Sequence, residues 1–153
     1  MKKIFFSLAL LAFFVASSAF AANRELILRE DSGLTKTEYL LAVGKYTAAI
    51  DTANEVLTRH PSNADAYTYR GYAYARLGQT AEAARDFQKA LTIDPGHLGA
   101  NKYLADIYLQ KGDVPRALEQ MQVIRMTCGQ LDCEELDELQ REIDQYKSST
   151  DKK

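Results

Sequence analysis

The chain has 153 residues and a formal net charge of −2, and 46% of its residues are hydrophobic. This length suits one domain, and the apolar fraction excludes a wholly disordered chain. The acidic balance argues against a nucleic-acid partner, which would require a basic stripe.

The first segment, residues 1–21, has the pattern of a secretory signal peptide. A lysine pair gives a positive start, residues 4–15 are almost wholly apolar, and small residues precede a cleavage point after Ala21. The alternative is a membrane anchor, but the apolar run is shorter than the about 20 residues that a spanning helix needs. We therefore expect export to the periplasm, with secretion as second choice, and no membrane-spanning segment in the mature chain. Cleavage removes Lys2 and Lys3, so the mature chain keeps 17 of the 19 basic residues and all 21 acidic ones. Its net charge is then −4.

After a lead-in at residues 22–29, a period of 34 residues organises the chain. Small residues recur at this step, namely Gly44, Gly78 and Gly112, and Ala49, Ala83 and Ala117. A fixed period of this length indicates stacked helix pairs, because one pair cannot bury its apolar face alone. We predict three units within residues 30–131, at 30–63, 64–97 and 98–131.

The second unit shows the helix boundaries most clearly. Residues 66–77 and 80–93 are predicted to form two helices, separated by Gly78 in a left-handed position that favours glycine. Thr80 is placed to cap the second helix. Pro95 follows that helix, because proline cannot continue the backbone hydrogen bonds.

The residues at fixed positions of these units carry a resemblance to a known family. The second unit resembles the tetratricopeptide repeat through Gly71, Tyr74, Gly78, Ala83, Phe87, Ala90 and Pro95. The third unit matches it through Leu104, Ala105, Tyr108, Gly112, Ala117 and Met121. The first unit matches from Gly44 on, but Lys36 and Thr37 stand where the family has a leucine and a small residue. The resemblance implies an all-α, right-handed solenoid of three helix pairs.

The segment that follows, residues 132–147, is predicted to be a C-terminal capping helix. Its apolar face would consist of Leu136, Leu139, Ile143 and Tyr146. The acidic first turn suits the helix dipole, and we interpret this charge run as a solvated face rather than an acid–base pair. Residues 148–153 are predicted to be a flexible tail.

Cys128 and Cys133 are the only cysteines, and they flank the turn before the capping helix. In an exported chain, a disulfide between them would clip that helix to the array and stabilise it by about 2 kcal/mol. Four residues separate the pair, whereas a thioredoxin-like redox pair has two. A redox accessory protein or small enzyme that uses this pair remains the alternative function.

The two histidines, His60 and His97, lie in turns between repeats. We interpret both as solvent-exposed turn residues, because two histidines alone make a poor metal site. No nucleophile–base arrangement or glycine-rich phosphate loop accompanies them. The sequence therefore predicts no catalysis, no metal and no cofactor.

The resemblance also implies a concave groove lined by the first helix of each unit. The groove positions in this register are Leu34, Glu38, Leu41, Thr68, Tyr72, Arg76, Lys102, Asp106 and Leu109. Aromatic and arginine side chains tend to dominate interfaces, although these positions could also form a merely solvated face. Some family members clamp a terminal carboxylate with lysine and asparagine side chains from several repeats. Here the first groove positions are Leu34 and Glu38, so we expect no such clamp.

We therefore expect a non-catalytic protein–protein interaction module, a scaffold or assembly factor of the cell envelope. It would bind a peptide or a helix of a partner protein in the groove. A self-associating structural protein, with array ends stacking between chains, is a further alternative.

Overall fold

The computed structural model describes residues 32–129 and 133–150. The predicted signal peptide and lead-in lie outside these residues, as do residues 130–132 and 151–153. The described chain forms helices and turns and contains no strand. None of the described helices is both long and apolar enough to cross a bilayer.

Seven helices follow one another in the described residues. The first, α1, covers residues 32–42. The others are α2 (Tyr46–Arg59), α3 (Ala64–Arg76), α4 (Thr80–Ile93), α5 (Leu98–Gln110), α6 (Val114–Cys128) and α7 (Glu134–Thr150). Each helix from α2 to α6 packs against the next, and α7 packs against both α5 and α6. This order confirms the predicted all-α solenoid of three helix pairs with a capping helix.

Each helix pair turns at a glycine with left-handed backbone. Gly44, Gly78 and Gly112 have φ values of 72°, 76° and 75°. In all three turns the residue after the glycine donates its N–H to a carbonyl five residues earlier, at 2.8–2.9 Å. The three pairs therefore have equivalent internal turns, and glycine suits this position because a side chain is costly at this φ.

The helices approach closely because small residues lie at the contacts. Ala49, Ala83 and Ala117 are fully buried. A Cβ on Gly71 would lie 2.7 Å from Phe87 of the neighbouring helix, so only glycine fits there. Thr37 occupies the family's small position without an unsatisfied hydroxyl, since its Oγ1 donates to the carbonyl of Gly33 at 2.8 Å.

Two details differ from the sequence predictions. Thr80 is the first residue of α4 and does not cap it; the capping position is Gln79, which makes no side-chain bond. The prediction of a flexible tail is wrong for residues 148–150, because these residues continue α7. There the hydroxyls of Ser148 and Ser149 donate to carbonyls of the preceding turn at 2.9 and 2.7 Å, which extends the helix.

Candidate functional site

The first helices of the pairs and the start of α7 line a concave groove with two adjoining pockets. The first, which we name the acidic pocket, has a volume of about 390 Å³. Its walls are Glu38, Leu41 and Ala42 of α1, Asp65, Thr68, Tyr69 and Tyr72 of α3, His97, Gly99 and Tyr103 at α5, and Glu135 of α7. Four separate helices therefore build this pocket.

The second, which we name the lysine pocket, lies toward the C-terminal ends of α3 and α5 and has a volume of about 470 Å³. Its walls are Tyr72, Ala75, Arg76, Phe87, Lys102, Tyr103, Asp106, Ile107, Gln110 and Glu138. Tyr72 and Tyr103 belong to both pockets, with ring centroids 5.1 Å apart. The ring of Tyr103 also stacks on buried Phe87 at 5.5 Å, which holds the shared wall in place.

Lys102 is the centre of the lysine pocket. Its Nζ lies 3.1 Å from Asp106, 3.1 Å from Glu142 and 3.5 Å from Glu138, and 5.4 Å from the centroid of the Tyr103 ring. Burial disfavours the charged amine, but the carboxylates of Asp106 and Glu142 outweigh it and raise the pKa of Lys102. One lysine thus joins α5 to two carboxylates of α7.

Asp106 is the most perturbed carboxyl of this cluster. Burial first, and then its hydrogen bond with Glu142, raise the pKa of Asp106 to about 7, although the Lys102 charge opposes this. The pKa of Glu142 is lowered, because its hydrogen bonds to Asp106 and Lys102 outweigh the effect of burial. The pKa values of these two neighbouring carboxyls are therefore shifted in opposite directions.

His97 joins α3 to the start of α5 at the edge of the acidic pocket. Its Nδ1 accepts from the N–H of Ala100 at 3.2 Å, which caps α5, so Nε2 carries the proton in the neutral ring. Nε2 lies 3.0 Å from Asp65 and 3.3 Å from Thr68. The hydrogen bond from His97 lowers the pKa of Asp65 against the effect of burial.

The exposed-turn interpretation is therefore wrong for His97, whose side chain is only 15% exposed. It is also wrong for His60, which is half-buried. The side chain of His97 lies against Asp65 and Thr68 of α3 instead of projecting into water. In the described chain we find no cluster of histidine, cysteine and acidic residues that could hold a metal ion.

The acidic pocket carries negative charge that no arginine or lysine of the described chain neutralises. Within the described residues, Glu38, Asp65 and Glu135 have no lysine or arginine nitrogen within 4.0 Å. The pKa of Tyr69 is raised, first by burial and then by the negative charges of Glu38 and Asp65. The pocket therefore has a negative potential next to three tyrosine rings.

Seven of the nine predicted groove residues line the two pockets. Glu38, Leu41, Thr68 and Tyr72 lie at the acidic pocket, and Tyr72, Arg76, Lys102 and Asp106 at the lysine pocket. Arg76 is exposed; its Nη1 donates to the Tyr72 hydroxyl at 3.0 Å, and its guanidinium lies 5.3 Å from the ring centroid of Tyr46.

Two predicted groove residues line neither of these pockets. Leu34 packs against Val56, Leu57 and Ala66, because it faces the second helix of its own pair. Leu109 is 6% exposed and belongs to the core that α5, α6 and α7 share, because α7 covers the last groove position. Leu109 instead lines a further pocket between α5 and α7.

The structure adds groove residues that the sequence prediction missed. These are Asp65, Tyr69, His97, Tyr103, Glu135 and Glu138. Tyr69 and Tyr103 are 34 residues apart, so the recurrence of tyrosine at one more repeat position was a usable signal. The capping helix is also not wholly solvated on its acidic face, since Glu135 and Glu138 are half-buried groove walls.

At the end of α6 the structure joins the sulfurs of Cys128 and Cys133, with Cα atoms 6.1 Å apart. Gly129 follows at a φ of 63°, which turns the chain away from the helix. Cys133 is 8% exposed and packs with the core of α5, α6 and α7. The pair thus lies where a clip would hold the first turn of α7, two residues before Glu135.

Comparison with known proteins agrees with this architecture. Two family models described as tetratricopeptide repeat match residues 34–97 and 74–142, which together span most of the chain. The tetratricopeptide repeat and J domain-containing co-chaperone DNJ1 of Fusarium oxysporum is 32% identical over 107 residues, which cover 65% of this chain and 20% of that protein. The chain thus spans about a fifth of the length of the first curated relatives that it matches.

Solved structures show the same fold. The Sgt2 TPR domain from Aspergillus fumigatus superposes with a TM-score of 0.69 and 23% identity, covering 80% of each chain. The TPR2B domain of yeast Sti1, solved as a complex with pHsp70, gives a TM-score of 0.68 at 22% identity and covers 77% of this chain and 98% of that one. At these identities the likeness concerns the fold alone.

Proposed function

Because the chain belongs to the tetratricopeptide repeat family and has the build of a protein–protein interaction module, we propose that it acts without catalysis and binds a partner protein in its concave groove. The bound element would be an extended peptide or a helix. The observation that carries this proposal is the pair of adjoining pockets across α1, α3, α5 and α7, with Tyr72 and Tyr103 as their common wall. Rigid aromatic side chains flanked by charge are typical anchors for such partners.

The relatives support a protein as the partner class. One is named as a co-chaperone and another was solved as a complex with pHsp70. Glu38 of this chain lies in the groove, where its negative charge would repel a terminal carboxylate. We therefore infer from these relatives only the general binding mode, a protein segment held in the groove, and not the identity of their partners.

We further propose that the protein works in the periplasm as a scaffold or assembly factor of the cell envelope. The signal-peptide pattern of residues 1–21 and the cysteine pair placed for a clip support this location. Cell fractionation with N-terminal sequencing of the exported protein tests it. Recovery of an unprocessed chain from the cytoplasm would contradict it.

The burial of Cys133 favours a structural disulfide over the redox alternative. Thiol–disulfide exchange requires an accessible sulfur, and Cys133 is 8% exposed within a packed core. We therefore propose a clip rather than a catalytic pair. Self-association through the array ends is measured separately by analytical ultracentrifugation.

Pull-down from envelope extracts tests the groove. We expect Tyr72→Ala with Arg76→Ala to reduce recovery of a partner at least about tenfold, since both side chains are groove anchors. Tyr39→Ala with Arg85→Ala is the matched control, because these exposed residues line neither pocket. Unchanged recovery by a folded Tyr72/Arg76 variant would place the binding face elsewhere.

A further inference from the structure

The acidic pocket has the chemistry of a site for one organic cation. We propose that it binds the side chain of an arginine or lysine in an extended segment of the partner protein, an inference that rests on the proposed function. The site has two components, a set of three carboxylates and a set of three tyrosine rings. Neither component is a feature of one helix, so the folded array creates it.

The carboxylates reach the pocket from three different helices. Glu38 is on α1, Asp65 on α3 and Glu135 on α7. Asp65 is hydrogen-bonded to His97 and 59% exposed, whereas no partner from an arginine or lysine lies within 4.0 Å of any of the three in the described residues. The raised pKa of Tyr69 agrees with this, because the charges of Glu38 and Asp65 contribute to it after burial. A positively charged side chain would therefore enter a favourable potential.

The aromatic component consists of Tyr69, Tyr72 and Tyr103. A lysine or guanidinium group within about 6 Å of a ring centroid is attracted by the ring electrons. The pocket volume of about 390 Å³ lies in the range of sites for small organic groups. An arginine or lysine would place its aliphatic stem against the rings and its charge at the carboxylates.

The protein itself demonstrates this arrangement in the adjoining pocket. There Lys102 lies 5.4 Å from the Tyr103 centroid and within 3.5 Å of three carboxylates. Arg76 likewise lies 5.8 Å from the Tyr72 centroid. The acidic pocket combines the same two rings with a second set of carboxylates. In the acidic pocket the partner would supply the cation, as Lys102 does in the lysine pocket.

The charge of the pocket also argues against other occupants. A terminal carboxylate or an acidic segment would meet Glu38, Asp65 and Glu135 and be repelled. A free polyamine has the required charge but lacks neighbouring residues that could lie along the rest of the groove toward Arg76. We therefore assign the site to a side chain of a protein segment, and spermidine serves as the competitor in the test.

The experiment selects a displayed library of random dodecapeptides on the purified protein, with counter-selection on Tyr72→Ala to retain groove-dependent binders. We expect arginine and lysine to be enriched several-fold at one position. The strongest peptide is then synthesised with that residue as arginine or as its uncharged isostere citrulline. Calorimetry should show that citrulline weakens binding to the wild type about tenfold, the scale of a cation held by rings and carboxylates.

A charge-neutralised variant identifies the pocket. In Glu38→Gln with Glu135→Gln, the arginine and citrulline peptides should differ by no more than about twofold, because the cation has lost two of its three carboxylates and the third, Asp65, is bonded to His97. Glu55→Gln with Glu119→Gln removes two exposed carboxylates that line neither pocket, and should keep the full difference.

The remaining outcomes separate this inference from the proposed function. Groove-dependent peptides without a basic residue would overturn the cation site and leave the proposed function standing. A selection without any groove-dependent peptide would overturn both. If spermidine binds as tightly as the arginine peptide, the occupant is a free polyamine and the assignment to a protein side chain is wrong.

Discussion

The acidic pocket and the lysine pocket share Tyr72 and Tyr103 but differ in how their carboxylates are balanced. In the lysine pocket one internal amine contacts three carboxylates, and two of these belong to α7. In the acidic pocket three carboxylates have no such amine in the described chain. The comparison shows that similar residues make different contacts: the first set joins α5 to the capping helix through Lys102, whereas the second contacts no lysine or arginine of the described residues.

The largest effect is expected from removing the internal cation. Lys102→Met should leave Asp106, Glu138 and Glu142 facing one another and reduce the free energy of unfolding by about 3 kcal/mol, as for other partly buried charges that lose their partner. Urea titration followed by circular dichroism measures this. Lys89→Met, at an exposed position of α4, is the control and should change stability by less than about 0.5 kcal/mol. Equal effects would mean that the lysine cluster does not hold α7.

The next largest effect is expected from removing the disulfide before α7. Cys128→Ser with Cys133→Ser should reduce the free energy of unfolding by about 2 kcal/mol, because a short loop is no longer closed. Hydrogen exchange should increase in α7 more than in α3. Mass spectrometry of the exported protein, with and without reductant, is the direct check. Two free thiols in that protein would contradict the clip.

A smaller effect depends on pH. The pKa of Asp106 is raised in the folded protein to about 7 from 3.8, so the folded state binds its proton more tightly and stability should rise as pH falls from 8 to 5. The contribution is lost as pH rises through about 7. Glu142, whose pKa is lowered, stays charged in this range.

Asp106→Asn isolates this contribution, because asparagine does not titrate while both histidines still do. We expect the wild type to gain about 1.4 kcal/mol more than the variant between pH 8 and pH 6, or about 5 °C in the unfolding midpoint. Thermal melts at several pH values measure it. Parallel curves for the two proteins would show that Asp106 is ionised throughout.

The smallest effect on stability is expected from neutralising carboxylates of the acidic pocket. Glu38→Gln with Glu135→Gln should change the free energy of unfolding by less than about 0.5 kcal/mol, because no internal cation depends on these carboxylates. Urea titration measures it. A loss near that of Lys102→Met would show that the acidic pocket is structural instead of a binding surface.

Much of the fold was predictable because each repeat position has a local physical reason. Gly44, Gly78 and Gly112 are required by left-handed turns, and Ala49 and Ala83 by close helix contacts. The end of α7 was not predictable in the same way. Its last turn depends on serine hydroxyls that bond to the helix's own carbonyls, and these residues are also typical of loops.

The groove was predictable only where one repeat register describes it. That register identified Glu38, Tyr72 and Asp106, which are 34 residues apart. It failed for Leu109, because α7 replaces solvent at the last position. The pairing of Lys102 with Glu142 depends on how a helix 40 residues later packs, and no local pattern contains that information.

Glu135 lies on the capping helix and also forms a wall of the acidic pocket. The docking of α7 on the array and binding at the proposed ligand site are therefore thermodynamically coupled. Anything that binds Glu135 in the docked position of α7 favours docking, and by reciprocity the docked helix strengthens that binding by the same factor. A capping helix is usually regarded as a solubility device, but for the proposed ligand the docking equilibrium of α7 would set an upper limit on affinity.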